Sequence, residues 1–305
     1  ASVTEAGAGT VNVTDNDTAT VTLSGTANVA EGGATAPLTA TLALNTSGTG
    51  TEALKTAINN VTLATDADFT ASTGTFAVDA VDNDTVTITV TAVDELFVEG
   101  PENGLTATLA ATTSNASVTE AGAGTVNVTD NDTATIGFQL AASAATENTA
   151  THEVSAILDI TAVGTGPVEL AQNVTADISD GGSGSATSGG TDYTASTDTI
   201  TFATGSGDSA IQTTSGLLTV MNDRRVEGDE TLDLNIAINT DNTGGQVTIL
   251  GAANDHDVTI ADNDTAETTF AAAASSVNPE AVGTVIVDVD LNLVTVGSGT
   301  VIIGS

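Results

Sequence analysis

The chain has 305 residues, of which 40 are acidic and three basic, giving a formal net charge of −37. Such a surface repels polyanions, so nucleic acid and anionic membranes are excluded as direct partners. Apolar residues make up 40 %, but aromatic residues only 2 %, and cysteine is absent, so the core must be aliphatic and unbraced by disulfides. The sequence lacks an apolar run of about 18 residues, so no direct membrane insertion is expected.

The sequence is built from a tandem repeat. Residues 1–20 recur letter for letter as residues 116–135, and both copies contain an Asp-Asn-Asp triplet; a third, looser copy of the stretch around the triplet lies at 259–266. Repeats this long indicate separate domains, because solenoid repeats run about 20 to 50 residues. The predicted division is a terminal strand of a preceding repeat at 1–17, one domain at 18–132, a second at 133–264, and opening strands of a further repeat at 265–305.

Short strands with one apolar face are predicted throughout, because apolar residues alternate with Thr and other polar residues. Residues 51–59 have some helical character and are interpreted as a connection. The alternating positions, in chain order, are Val11 and Val13; Val21 and Leu23; Leu38 to Leu44; Val86 to Val90; Leu105 to Leu109; Val126 and Val128; Val154 to Ile160; Ile200 and Phe202; Leu218 and Val220; Leu232 to Ile238; and Val285 to Leu293. This pattern predicts an all-β fold of tandem immunoglobulin-like antiparallel β-sandwiches. No linker follows the triplets, so the domains are expected to join end to end.

Acidic residues recur in the same order in both domains, at predicted strand ends and loops. In the first domain they are Glu31, Asp68, Asp94, Glu95, Glu99, Glu102, Asp130 and Asp132, and in the second Glu147, Asp192, Asp223, Glu227, Glu230, Asp262 and Asp264. Two like charges about 4 Å apart repel by about 1 kcal/mol in water and about 4 near a protein surface, so converging acids need neutralising cations. Ligands that offer only oxygen favour Ca²⁺. The alternative is that these acids are solvated loop residues.

Three motifs occur in order in each domain: Asp-Phe/Tyr-Thr-Ala-Ser-Thr, Val-Glu-Gly-x-Glu and Asp-Asn-Asp. Their order resembles the Calx-beta domain, a calcium-binding sandwich also found in large bacterial surface proteins. The resemblance covers residues 18–264 and implies that the acids named above hold calcium. In the second domain Asn222 replaces one acid, and Arg224 and Arg225 lie beside the site. We therefore expect the second domain to bind calcium more weakly, or with fewer ions.

These features predict a structural, calcium-binding repeat segment of a secreted or cell-surface adhesin, stalk or extracellular fibre, with Ca²⁺ stiffening the domains and their junctions. The expected partners are neighbouring repeats of the same polypeptide, or a homopolymer in a fibre. The alternatives are a calcium-sensing regulatory module, a filament subunit joined by strand complementation, or a spacer in an extracellular enzyme. The segment itself is not expected to be an enzyme. Its two histidines, His152 and His256, are interpreted as surface residues.

Overall fold

The computed structural model describes residues 16–33, 35–110, 117–164, 166–273 and 286–303. Every regular element in these ranges is a β-strand, and none of them contains a helix that could cross a membrane. The described residues form two compact units. The first comprises the described residues up to Glu95, with Pro101–Asn131 and Val163–Thr165, and the second comprises Leu96–Gly100, Asp132–Ala162 and the residues from Gly166 onward. The strand positions predicted at Val11, Val13 and Val285 lie outside the described residues.

The strands are short. In chain order they are β1 (Thr18–Ser24), β2 (Thr26–Ala30), β3 (Ala36–Asn45), β4 (Ile58–Val61), β5 (Phe69–Ala71), β6 (Gly74–Phe76), β7 (Thr85–Ala92), β8 (Phe97–Val98), β9 (Glu102–Ala107), β10 (Val118–Gly122), β11 (Gly124–Thr129), β12 (Thr133–Phe138), β13 (Ala142–Thr146), β14 (Ser155–Thr161), β15 (Glu169–Leu170), β16 (Val174–Gly184), β17 (Tyr193–Ala195), β18 (Asp198–Phe202), β19 (Ile211–Thr213), β20 (Leu218–Val220), β21 (Arg225–Val226), β22 (Glu230–Asp241), β23 (Val247–Ile249), β24 (Asp255–Ala261), β25 (Thr265–Phe270), β26 (Val289–Val294) and β27 (Ile302–Ile303).

In the first unit, a five-stranded sheet in the order β10-β1-β3-β7-β5 and a three-stranded sheet in the order β2-β11-β9 provide the two layers. The alternating aliphatic residues point into a common core, where Val21, Leu42, Ile88 and Val126 have no exposed surface. Most of residues 51–59 form a connection, as predicted, and β4 begins at Ile58. The all-β sandwich predicted from the alternation is therefore confirmed.

The opening strand of each unit is divided between the two sheets. In the first unit, β1 joins one sheet and β2 the other, and Gly25 between them has a φ of +111°. At the sheet edges β1 runs parallel to β10, and β2 runs parallel to β11. The remaining strand pairs of the first unit are antiparallel, as the sequence predicted. In both edge pairs, a strand from the closing part of the sandwich, β10 or β11, lies beside a strand from its opening part, β1 or β2.

The second unit repeats this plan. Its main sheets have the orders β19-β14-β12-β23 and β13-β24-β22-β16-β18, and both β12–β23 and β13–β24 are parallel edge pairs. Its core contains Ile136, Leu158 and Phe202. Residues 96–100 also belong to this unit, because β8 pairs with β15 and Val98 packs into the core.

A further hairpin opens after the third acidic triplet. Thr265 of β25 is opposite Val294 of β26, just as Thr18 is opposite Asn45 and Thr133 is opposite Thr161 in the two sandwiches. Its apolar side chains are uncovered, with Phe270 70 % exposed. The strands β25 and β26 are therefore paired in the same way as the opening strands of the two sandwiches, β1 with β3 and β12 with β14.

Candidate metal centres

In the second unit, three carboxylates from separate loops meet in what we call cluster A: Glu147, Asp223 and Asp264. One carboxylate oxygen of each lies within 4.8 Å of those of the other two. Glu147 follows β13 and Asp264 follows β24, whose parallel pairing ends at Thr146 opposite Ala261. The parallel edge therefore delivers both acids to the same end of the sandwich, and the loop after β20 adds Asp223.

Cluster A is buried. Glu147 is 7 % exposed and Asp264 is 5 % exposed. Oε2 of Glu147 and Oδ2 of Asp264 have no hydrogen-bond donor among the described residues. Burial, followed by the charges of Asp262 and Asp223, raises the pKa of Glu147 to about 7. Buried carboxylates without partners are costly, so this arrangement suits a cation that accepts only oxygen ligands.

Asp262, another predicted ligand, organises the loops around cluster A. Its Oδ2 accepts a hydrogen bond from the Glu227 amide at 2.8 Å, and its Oδ1 accepts one from the Asp264 amide at 2.7 Å. Its charge nevertheless acts on Glu147. Asp262 thus ties the triplet to the loop before β22 and holds Asp264 in place.

The segment after β26 also reaches cluster A. The Val296 amide donates to Oδ1 of Asp264 at 2.6 Å, and Arg224 Nε donates to Thr295 Oγ1 at 3.1 Å. Beyond them, β27 pairs with β21. One oxygen of Asp264 is therefore fixed by the backbone while the other faces the cluster.

Cluster B lies in the same unit and consists of Asp192, Glu227 and Glu230, whose ligand atoms lie within 4.8 Å of one another. Asp192 immediately precedes β17 and Glu230 is the first residue of β22. Burial and a hydrogen bond with Asp192 raise the pKa of Glu230 to about 7. Burial also raises the pKa of Glu227, with Asp192 as the next contribution. A cation bound here would favour the ionised forms of Glu227 and Glu230.

The Arg225 side chain brings one positive charge close to these carboxylates. Its Nε donates to Oε2 of Glu227 at 3.2 Å and lies 4.0 Å from Oδ2 of Asp223. The guanidinium therefore touches one carboxylate of each cluster. Its side chain would therefore compete with a bound cation for these carboxylates.

The first unit has a corresponding arrangement. Glu31 follows β2, and an oxygen of its buried carboxylate lies within 4.8 Å of those of Asp130 and of Glu95. The Glu31 amide donates to the carbonyl of Thr129 at 3.1 Å, which continues the parallel pairing of β2 with β11. The neighbouring Asp94 accepts a hydrogen bond from the Asn131 side chain at 3.1 Å. Glu31 and Asp130 of the acidic triplet, both predicted ligands, therefore lie close together.

Two more predicted ligands of the first unit contact each other: Asp68, just before β5, and Glu102, the first residue of β9. Their carboxyl groups hydrogen-bond, and burial is the largest cause raising the pKa of each. Asp66, which the sequence reasoning missed, adds its charge to both and accepts the Asp68 amide at 3.1 Å. The signal for it was present, since Asp66 lies two residues before a predicted ligand.

The other two predicted ligands of the first domain, Glu99 and Asp132, lie in segments that belong to the second unit. Asp132 has no exposed surface, and Glu99 is half-buried in the segment Leu96–Gly100. Phe69 and Tyr193, each of which follows a predicted ligand, are core residues.

The two histidines meet, although they are far apart in the sequence. His152 Nε2 and His256 Nε2 each lie 2.7 Å from the hydroxyl oxygen of Ser143. His256 is 3 % exposed, so the prediction that it is a surface residue is wrong. The alternation along β24 contained the signal, because His256 shares its face with the buried Val258 and Ile260.

No protein-family model matches the sequence, and no curated protein is significantly similar to it. Solved structures do match. The apo-form Calx CBD1 domain is 17 % identical, with a TM-score of 0.30 over 43 % of this chain and 98 % of that one. The calcium binding domain CBD12 of CALX1.1 is 12 % identical, with a TM-score of 0.25 over 77 % and 96 %. Protocadherin Gamma B7 extracellular cadherin domains 1–4 are 10 % identical, with a TM-score of 0.29 over 92 % and 60 %.

Proposed function

We propose that this chain is a calcium-binding structural segment of a secreted or cell-surface protein, such as an adhesin, stalk or extracellular fibre. The observation that carries the proposal is cluster A, in which buried carboxylates of Glu147 and Asp264 converge with Asp223 and keep two oxygens without hydrogen-bond donors among the described residues. The resemblance of the motifs to the Calx-beta domain supports the same ion.

The chemistry of the ligands favours calcium over other divalent cations. Clusters A and B contain carboxylates only, whereas Zn²⁺ sites commonly use cysteine or histidine. Ca²⁺ accepts six to eight oxygens at about 2.3 to 2.6 Å in flexible geometry, while Mg²⁺ demands a nearly ideal octahedron. Carboxylates contributed by separate loops meet the looser requirement. Glu147, Asp223 and Asp264 would hold one ion, and Asp192, Glu227 and Glu230 a second.

Calcium would stabilise sandwiches that have few other means of bracing. The sequence contains no cysteine and few aromatic residues, and the core is mainly aliphatic. A cation that binds only the folded state stabilises it by about 2.7 kcal/mol at a hundredfold excess over Kd. It would also remove the repulsion among the carboxylates. A stiff, repeated, acidic sandwich is suited to a stalk or fibre, with neighbouring repeats of the same polypeptide as its partners.

Calcium titration of the full chain tests this proposal. We expect heat of binding by calorimetry and an increase in the unfolding temperature when Ca²⁺ replaces EDTA. Asp264→Asn should reduce both responses, because it removes a buried ligand charge. Asp159→Asn is the matched control, since Asp159 is exposed on β14 and belongs to neither cluster. If Ca²⁺ neither binds nor stabilises the wild-type chain, the proposal is wrong; equal effects of the two substitutions would mean that cluster A is not the site.

A further inference from the structure

The second sandwich is completed by a short strand that precedes its own opening strand in the sequence. This strand, β8, lies in the segment Leu96–Gly100 and runs parallel to β15, which we call the receiving strand. The amide of Glu169 donates to the carbonyl of Leu96 at 3.3 Å, and the amide of Ala171 donates to that of Val98 at 3.1 Å. Val98 has no exposed surface and belongs to the core of the second unit.

The same pairing recurs one repeat later. There the receiving strand is β27, which follows the hairpin of β25 and β26 and runs parallel to β21. The amide of Ile302 donates to the carbonyl of Arg224 at 3.3 Å. Val226 has the place in this pair that Val98 has in the earlier one. In both cases the incoming strand comes from the repeat that precedes the receiving strand in the sequence.

A glycine shortly before each receiving strand allows the two backbones to approach closely. Gly164 has a φ of +149°, and a Cβ atom at this position would lie 2.6 Å from the carbonyl oxygen of Glu95. Gly297 has a φ of +118°, and a Cβ atom there would overlap the carbonyl oxygen of Asp223. Both the φ angle and the contact require glycine. The loop before the receiving strand is therefore part of the pairing.

The first unit contains the counterpart of the receiving strand. The amide of Leu54 donates to the carbonyl of Ala80 at 2.9 Å, just as the amide of Leu170 donates to that of Ser206 at 2.9 Å. Leu54 is therefore the counterpart of Leu170, and the residues on either side of it correspond as well. We call Ala53–Lys55 the third receiving strand.

The loop before the third receiving strand is also built in the same way. The amide of Ser47 donates to Oδ1 of Asp17 at 2.8 Å. In the later repeat the amide of Val296 makes the same bond with Asp264. The loop also has its glycine, Gly48, with a φ of +137°. The first unit therefore holds its receiving strand and loop in the arrangement that the other two copies use.

The third receiving strand is open among the described residues. A Cβ atom at Gly48 would have no neighbour within 4 Å among them. The amides of Ala53 and Lys55 have no hydrogen-bond acceptor there either, whereas the corresponding amides of the second unit are paired. Two neighbouring cavities of about 150 Å³ and 230 Å³ lie beside this strand.

Apolar side chains line the smaller cavity, and their counterparts surround the core of the second unit. The apolar lining residues are Ala19, Leu44, Ala53, Leu54 and Val118. Strand register and the bonds of Leu54 give the counterparts of four of them as Ala134, Ile160, Leu170 and Val247. All four belong to, or pack against, the core that contains Val98. A valine side chain is therefore the kind of group that this cavity would bury.

Charge adds a smaller contribution. Lys55, the one lysine of the chain, lines both cavities and pairs with Asp79 at 3.4 Å, where both side chains are exposed. Such exposed pairs are worth little, so Lys55 can turn towards another carboxylate. Residues 94–102 contain four acids and no basic residue. Asp17 and Glu52 also line the larger cavity, so the backbone pairing and the apolar contact select the occupant more than charge does.

We propose that the third receiving strand and its cavities form a docking site for the segment of a preceding repeat that corresponds to Leu96–Gly100. The valine of that segment would enter the smaller cavity, two of its carbonyl groups would accept from the amides of Ala53 and Lys55, and its backbone would pass over Gly48. This inference rests on the neighbouring repeats named as partners in the proposed function, but not on calcium.

An extended chain tests the proposal. Residues 1–20 repeat residues 116–135 exactly, so placing a copy of residues 93–115 before residue 1 recreates the connection that leads from Val98 into the second unit. Hydrogen exchange of the Ala53 and Lys55 amides, followed by nuclear magnetic resonance in EDTA, should slow by at least about tenfold. The same extension carrying Val98→Asp in the added copy should not slow it. Unchanged exchange with the first extension would overturn the proposal.

A peptide with the sequence of residues 94–102 tests the same site in the unmodified chain. In EDTA it should shift the amide resonances of Ala53 and Lys55 saturably. Its Val98→Asp form should bind at least about tenfold more weakly, because the cavity would have to bury a carboxylate. In the chain, Lys55→Glu should weaken peptide binding while Lys55→Arg preserves it; both changes are at an exposed side chain. Resonance shifts confined to Glu169 and its neighbours would overturn the assignment.

The unmodified chain also shows whether something else covers the site. If the amides of Ala53 and Lys55 are already protected from exchange without peptide, the proposal is wrong. Protection that increases with protein concentration would identify a second copy as the occupant, and protection independent of concentration another part of the same chain. Because every measurement is made in EDTA, absence of calcium binding would overturn the proposed ion and leave this result unaffected.

Discussion

Replacing Glu147 by glutamine should make the calcium-free chain more stable at alkaline pH, although it removes a proposed ligand. The pKa of the buried Glu147 carboxyl is about 7, against an ordinary value of 4.5. The protonated group contributes stability that is fully present below about pH 4.5 and is lost as the pH rises through about 7. At about 1.4 kcal/mol for each tenfold change in proton affinity, the loss amounts to about 3 kcal/mol at pH 8. Glutamine keeps the shape and never ionises.

Thermal or urea unfolding in EDTA at pH 5 and pH 8 measures this effect. We expect Glu147→Gln to be close to wild type at pH 5 and about 10 °C more stable in Tm at pH 8, since a domain of this size gains a few degrees for each kcal/mol. In saturating Ca²⁺ the order should reverse, because only the carboxylate binds the ion. Asp159→Asn is the control for general loss of charge. If the variant gains nothing at pH 8 without calcium, Glu147 does not experience the burial and repulsion inferred here.

Three further predictions concern other features of the units. Arg225→Gln should raise the calcium affinity of the second unit about fivefold, the effect of roughly 1 kcal/mol, because the guanidinium no longer competes for Glu227; calorimetry showing unchanged affinity would contradict this competition. Leu158→Ala should cost about 2 to 5 kcal/mol in urea unfolding, because Leu158 is fully buried, and should leave the calcium stoichiometry unchanged. Gly25→Ala should cost more than about 1 kcal/mol, because φ is +111° and the new methyl group would contact Leu38; a neutral effect would show that the switch between β1 and β2 adapts without strain.

The sequence predicted those parts of the fold that depend only on the alternation of apolar and polar residues along a strand. Alternation at Val21, Leu23 and Leu42 sets which face of each strand is apolar, and these residues are all in the core. The parallel edges were not predicted, because alternation gives the face of a strand but not the direction of its neighbour. That direction depends on the division of the opening strand at Gly25, which brings β2 beside β11.

The sequence predicted which acidic residues would lie close together better than it predicted what each of them does there. Glu147 and Asp264 could be anticipated because they repeat in order, and the parallel edge brings them together. The positioning role of Asp262 depends on backbone amides of other loops, which carry no sequence signal. The pairing of His152 with His256 depends on packing between distant strands. Such contacts are properties of the assembled sandwich.

The scarcity of aromatic residues makes the second unit directly observable by spectroscopy. Tyr193 is the one tyrosine of a chain that has no tryptophan. It is buried beside Asp192, and its hydroxyl donates to Asp180 at 2.9 Å. Burial, together with that carboxylate, raises the pKa of Tyr193 to about 12. The tyrosine emission of the native chain therefore comes from a single phenol next to cluster B, and it can follow events there without any added label.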